Sequence, residues 1–363
     1  MSRTQLKAIC HKGSSSLRQK DVANDGPYAV YGAPGVIGHS STYQFEHPYL
    51  AVVKDGAGVG RVMACEAKTS VLGTMQAIKP NDGVDLYYLQ HLLKAMNLSS
   101  YYTGATIPHI YFKDYGNASV SLPSLSEQKA IAAVFRRHGQ LVEQYERMLE
   151  MLDELVKSRF IEMFGDPIDE SSPWPKLAIK DFCTLKIGPF GSSLHKQDYI
   201  TGGHPLVNPS HISDGKIVPA NDLTISEEKY QEMEAYHLEP GDVVLGRRGE
   251  IGRCAVVYSS GYLCGTGSMI VRPSDKCRPD YLQRVLSFPS FKDALERNAV
   301  GQTMKNLNAK IVGQAVVALP SINAQNEFAA FVQQVDKLEF ETQQAIDKLQ
   351  TLYDSLAQEY FGD

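Results

Sequence analysis

A stretch of 45 residues occurs twice in this chain, without a gap, at a constant offset of 197. The first copy runs from Leu122 to Asp166 and the second from Leu319 to Asp363; both open with Leu-Pro-Ser and close with Phe-Gly-Asp. Internal repetition constrains architecture more than any single motif, because each copy must form the same kind of unit. The blocks in front of each copy repeat too. SSLRQKD from Ser15 matches SSLHKQD from Ser192 at offset 177, DGAGVGR from Asp55 matches RRGEIGR from Arg247 at 192, and YLQ from Tyr88 matches YLQ from Tyr281 at 193. The offset only grows along the chain, so the order is kept and the second copy carries insertions. The expected organisation is A-B-A′-B′, with blocks at 1–121, 122–166, 167–318 and 319–363.

The B segments read as long amphipathic helices. With Ile131 at heptad position a, the a residues are Ile131, His138, Tyr145, Leu152 and Arg159, and the d residues are Val134, Leu141, Met148, Leu155 and Glu162. The e residues Phe135, Val142, Leu149, Val156 and Met163 are all apolar. An a/d/e stripe over four heptads predicts coiled-coil packing, with width to spare for a further partner. Ser124-x-x-Glu127 reads as a capping box, Gly165 and Gly362 as helix-ending glycines, and Gly139 as an outward position. Either the two helices pack on each other, preferably antiparallel about an approximate two-fold axis, or each packs only on its own A block.

The A blocks alternate short β-type runs with Gly and Pro, as in Tyr49-Leu-Ala-Val-Val and Ser268-Met-Ile-Val, and read as compact mixed sheets. Ser171 to Pro175 reads as a linker. The fold class is therefore α+β, a tandem of two β-rich blocks and two long helices. Scaffold-type residues recur between the blocks while loop residues differ: Gln19 against Lys196, Tyr31 against Asn208, Asp55 and Gly56 against Arg247 and Arg248, His109 against Asn306. One scaffold with two loop chemistries predicts two related but different ligands.

The net charge of −5 is unlike that of a simple nucleic-acid binder. Its distribution differs from its sum: residues 1–121 carry +3, 122–165 carry −1, 166–318 carry −1 and 319–363 carry −6. Such a chain is expected to bind DNA weakly alone and firmly with partners that add phosphate contacts. No run of about 18 apolar residues exists and the N-terminus lacks an apolar signal core, so no membrane contact and a cytoplasmic location are expected. The six cysteines form no C-x-x-C pair and are expected to be buried thiols. No phosphate-loop, metal-ligand or nucleophile motif is present; DGAGVG reads as a β-turn.

The order LPSLSEQKAI…FIEMFGD, a variable block, then LPSINAQNEF…YFGD resembles the specificity subunit of type I restriction-modification enzymes. The segments GPFGSSLHKQDY, PGDVVLGRRGEIGR and GQTMKNLN resemble that family's target-recognition domains. The resemblance implies two target-recognition domains separated by two helices in an antiparallel coiled coil, each domain reading one half of a bipartite site on double-stranded DNA. It also implies no catalysis in this chain. Methyltransferase subunits, two of them, would dock on the helices with S-adenosylmethionine, and restriction subunits would add ATP- and Mg-dependent translocation and cleavage.

On that reading, Arg247, Arg248 and Arg253 flank a glycine turn suited to an exposed reader. Arg matches guanine O6/N7, and Asn208 or Asn306 matches adenine. His195, Lys196 and Lys305 are expected to position phosphates. The first block offers Arg18, Gln19, Tyr31, Arg61 and His109. For each such residue, contact with phosphate alone or a surface ion pair is the alternative. Two modules on one helical spacer would read the same DNA face about 10 bp apart. A two-module scaffold for protein or RNA, and an enzyme built from scattered residues, are the competing functions.

Overall fold

The computed structural model describes residues 2–56, 58–102, 108–190, 193–249, 251–298 and 306–362. It divides into two compact units, residues 1–148 with 342–363 and residues 149–341. Each unit therefore holds one A block together with part of both long helices, Leu125–Phe164 and Ile322–Phe361.

The first unit is built on a four-stranded antiparallel sheet in the order Cys10–Gly13, Met75–Pro80, Tyr49–Val53, Val62–Cys65. Tyr49–Val53 is buried at every position, as a central strand covered on both faces must be. A three-stranded sheet follows, Gly35–Ser40, Tyr28–Gly32 and Ser70–Val71, the last pair parallel. Ser2–Gln5 pairs with Ser119–Leu122 to tie the block's two ends together.

The second unit repeats this plan. Its four-stranded sheet runs Cys183–Ile187, Ser268–Pro273, Val243–Gly246, Cys254–Val256, and Lys176–Ala178 pairs with Val316–Ala318. Its second sheet has five strands, and a hairpin of Ile212–Ser213 with Lys216–Ile217 is added beside it. These additions lie where the sequence offset grows from 177 to 193.

Within each unit the two long helices pack on each other and also on the A block, so both arrangements weighed from sequence occur together. In the first unit His138 Nε2 lies 2.8 Å from the Leu349 carbonyl oxygen, Met148 meets Thr342, and Phe135 stacks on His91 of the block with Tyr353 at its edge. Partner numbers fall as the first helix advances, so the pair is antiparallel. In the second unit Phe160 lies between Tyr281 of the block and Phe328 of the other helix, with ring centroids 5.5 Å apart in both pairs.

The buried stripe departs from the expected a/d/e pattern. Positions a and e turn inward, but Val134, Met148 and Leu155 at d are exposed, as are Leu338 and Leu352 in the second copy. The blocks pack against the e side, which rotates d toward solvent. Towards its C-terminus the first helix buries Leu152, Val156, Phe160 and Phe164 at a spacing of four, an ordinary globular stripe in place of a strict heptad.

The helix ends behave as their residues dictate. Glu127 accepts the Ser124 backbone N–H at 2.8 Å while Ser124 Oγ accepts the Glu127 N–H. The second copy has Ala324 in place of the acid and keeps only the serine half of the box. Gly165 ends the first helix at φ +71°. The expected linker is not free. Trp174 packs at 6.3 Å from Phe164, and the Pro175 carbonyl accepts the Leu319 N–H at 2.8 Å. The reason is burial: an exposed indole would leave a large apolar surface in water.

Gln128 and Gln325, equivalent at offset 197, join the helices to the blocks. Gln128 accepts the Asp85 N–H and donates to the Gly83 and Pro123 carbonyls; Gln325 does the same with Arg278, Lys276 and Pro320. Tyr88 and Tyr281 repeat the pattern by donating to the Ser121 and Ala318 carbonyls. All six cysteines are free and buried, and burial pushes the Cys10, Cys65, Cys183 and Cys254 thiols up to about 12. Among the described residues no helix is long and apolar enough to cross a membrane.

Candidate nucleic-acid interface

Two loops of each unit carry most of the residues singled out from the sequence. The first is a 3₁₀ turn, Gln19–Asp21 in one unit and Lys196–Asp198 in the other. The Asp21 carboxylate accepts the Arg18 backbone N–H at 3.3 Å and its Nε–H at 2.9 Å; hydrogen bonding to Arg18 holds the carboxyl below its usual range. Asp198 accepts the His195 backbone N–H at 2.6 Å. The aspartates thus pin identical turns, and Gln19 and Lys196 stand exposed on them with no side-chain partner among the described residues. Arg18 is committed to its aspartate, whereas His195 anchors through its backbone and keeps an exposed ring.

The second loop follows a central strand. Lys54 accepts the Ile110 N–H at 3.0 Å, and Arg247 accepts the Leu307 N–H at 2.9 Å, through their backbone carbonyls. The next residues form isolated bridges, Asp55 with His109 and Arg248 with Asn306. Asp55 therefore corresponds to Arg248, one residue later than the sequence pairing suggested, because the first unit's turn is one residue longer. Tyr31 shifts likewise. Its carbonyl accepts the Leu72 N–H as the Val207 carbonyl accepts that of Gly265, so Val207 is its counterpart and Asn208 falls one step beyond.

Side-chain surroundings separate these residues into two groups. Arg248 is exposed and makes no side-chain hydrogen bond to another described residue. Arg61 is exposed, with only a long contact from its Nε to the Gly58 carbonyl. His109 is half-buried, its Nδ1 in close contact with an Asp55 carboxylate oxygen and its ring 4.0 Å from that of Tyr111. Neither Asp55 nor Tyr111 was singled out as a site residue. The signal available was that each differs from its counterpart, Arg248 and Asn308.

Arg247 corrects an expectation. It is 3% exposed, and its guanidinium donates to the Leu307 and Thr266 carbonyls at 3.3 Å each, so it is a strut beneath the loop and not an exposed reader. Its charge is solvated by backbone oxygens in place of water, and burial followed by the neighbouring Arg248 lowers its pKa. Arg253 also turns inward, with Nη1 3.4 Å from the Pro209 and Ile212 carbonyls. Asn208 Oδ1 accepts the Gly267 N–H at 3.1 Å, a tie between two loops that occupies its acceptor. Tyr31 is half-buried, and burial raises its phenol pKa. Asn306 is half-buried, and its side-chain oxygen has no partner among the described residues. Lys305 lies outside the described residues.

The two loops thus offer different side chains on one backbone plan: Gln19, Asp55 and His109 in one unit, Lys196, Arg248 and Asn306 in the other. These are hydrogen-bonding groups of the kind that read base edges or hold phosphates. Among the described residues no group of three or more His, Cys, Asp or Glu is placed to hold a metal ion.

Residues 3–151 and 171–351 match the family described as type I restriction modification DNA specificity domain. The chain is similar to the specificity subunit of type I restriction enzyme MjaVIII of Methanocaldococcus jannaschii, 22% identical over 80% of this chain and 72% of that one. It is also similar to the EcoKI specificity subunit of Escherichia coli, 22% identical over 78% of this chain and 66% of the relative. This chain therefore spans about two thirds to three quarters of the length of these relatives. Among solved structures, the S subunit of a type I restriction-modification system from M. genitalium shares the fold with TM-score 0.58 and 16% identity, over 100% of this chain and 96% of that chain. A chain from a structure concerned with complex assembly and conformational transition of the type I R-M system aligns with TM-score 0.63 and 15% identity, over 99% and 97%. With both repeats matched to the same domain family, the chain belongs to the type I restriction modification DNA specificity family.

Proposed function

We propose that the chain is the sequence-reading subunit of a type I restriction-modification complex. Each unit reads one half of a bipartite site on double-stranded DNA, and the long helices dock methyltransferase subunits that modify adenine. The observation that carries this reading is the pairing of a shared loop plan with different side chains in the two units, exposed Gln19 against exposed Lys196 and half-buried, His109-bound Asp55 against exposed Arg248. A protein with one ligand would have no use for that divergence.

The chain acts by binding alone. Arg248 suits bidentate contact to a guanine edge, Lys196 and His195 suit phosphates, and the His109–Asp55 pair presents an oriented imidazole. S-adenosylmethionine would sit on the methyltransferase subunits, and ATP and Mg on the restriction subunits. The helices support docking through the exposed d row and a cleft of about 490 Å³ lined by Leu155, Ser158, Arg159, Glu162 and Phe331. Two methyltransferase subunits would match the two copies of the repeat.

The test is to co-express the full chain with the methyltransferase of a type I system and map modified adenines across a genome. A split motif with an unread gap is the expected result. A continuous motif, or modification independent of this chain, overturns the reading.

A further inference from the structure

One cleft of the first unit lies at the far end of the loop that begins at Asp55. It has a volume of about 500 Å³ and is lined by Gly60, Arg61, Lys94, Asn97 and Ser99 together with apolar side chains of the neighbouring strand. Arg61 ends the loop that begins at Asp55, and Lys94 lies in the last turn of the helix Leu86–Ala95. Gly60 has φ +88°, and a Cβ there would fall 2.6 Å from the Ser99 nitrogen. The loop and the 3₁₀ helix Leu98–Tyr101 therefore meet backbone to backbone, which fixes the cleft wall.

Among the described residues no carboxylate lines this cleft. Both cations are exposed, and the Lys94 ammonium makes no hydrogen bond or ion pair to another described residue. Two like charges sharing a cleft without a counter-charge repel, and an anion placed between them removes that cost. A planar guanidinium beside a flexible ammonium, with an amide and a hydroxyl nearby, is donor chemistry suited to a phosphate.

The corresponding place in the second unit is closed. A Cβ on Gly252, the counterpart of Gly60, would lie 2.4 Å from the Lys292 side chain, which covers the turn. Arg253, the counterpart of Arg61, is drawn to the Pro209 and Ile212 carbonyls.

We propose that Arg61 and Lys94 form a phosphate-binding cleft that grips the DNA backbone beside the half-site read by the first unit. This rests on the reading of the chain as a DNA-specificity subunit. The test measures binding of the chain with its methyltransferase subunits to a duplex carrying the mapped motif, across a salt series. Arg61→Gln and Lys94→Gln each reduce the salt slope by about one and weaken all duplexes by the same factor, with the methylated motif unchanged. Lys94→Arg retains the slope. Melting temperatures equal to wild type show that the variants fold. An unchanged slope overturns the cleft while the specificity reading stands, and so does a change of base preference in the first half-site. Wild-type complex without sequence-specific binding overturns both.

Discussion

Gln128 Oε1 accepts the backbone N–H of Asp85 at 2.8 Å, from a side chain that is 1% exposed. The same side chain donates to two carbonyls, so one residue satisfies three backbone groups at the join between helix and block. Gln325 repeats this in the other unit. Replacing either by Leu keeps the volume and strands those groups, at a cost of about 1–3 kcal/mol. Urea denaturation of Gln128→Leu and Gln325→Leu measures it; a loss below about 0.5 kcal/mol, the range of ordinary surface changes, contradicts the role.

Much of this was legible in the sequence because duplication displays scaffold and variable positions side by side. The helices, their caps at Ser124 and Gly165, the central strands and the turns all followed from periodicity and glycine placement. The pair Gln128/Gln325 was visible at offset 197, but its meaning depends on loops that come near only in three dimensions. The exposed d row was missed because a heptad count cannot say on which side a third element packs. Arg247 was misread for a related reason: adjacent arginines look alike in sequence, and only the backbone's alternation just past the strand Val243–Gly246 sends one inward and the next outward.

That alternation separates the two arginines experimentally. Arg248→Ala removes an exposed side chain and is expected to leave the melting temperature unchanged while relaxing base preference in one half-site only. Arg247→Ala strips the Leu307 and Thr266 carbonyls of their donor and is expected to cost about 1–3 kcal/mol of stability. Adenine mapping and thermal melting on both variants check this. Equal effects from the two substitutions would contradict the assignment.

The exposed d row gives a second separation. Met148 is 46% and Leu155 47% exposed, one heptad apart at position d of the first helix. Leu155→Glu is expected to change stability by no more than about 0.5 kcal/mol yet to abolish copurification of the methyltransferase, since a carboxylate would be buried at the contact. A methyltransferase that still copurifies in full would place its docking face elsewhere.

Gly139 lies mid-helix with nothing within 4 Å of the position a Cβ would take. Gly139→Ala should therefore stabilise the chain by about 1 kcal/mol through helix propensity alone. Chemical denaturation at equilibrium provides the measurement. No gain, or a loss, would mean that a packing contact at this face is broken by the methyl group.

His91 sets an acid limit on the first unit. Its ring stacks on Phe135 at 4.6 Å, and its Nδ1 is buried with no hydrogen-bond partner among the described residues. Burial, helped by the positive charge of Lys94 and by His138, lowers its pKa to about 4. The unfolded chain titrates this group near its ordinary value of about 6.5. Between those values the unfolded state binds the extra proton, so stability is full above about 6.5 and falls as the pH drops towards 4. A pH series of denaturation curves should show this decline, and His91→Phe should flatten it while keeping the stack on Phe135. If the decline persists unchanged in His91→Phe, the acid sensitivity belongs to another group.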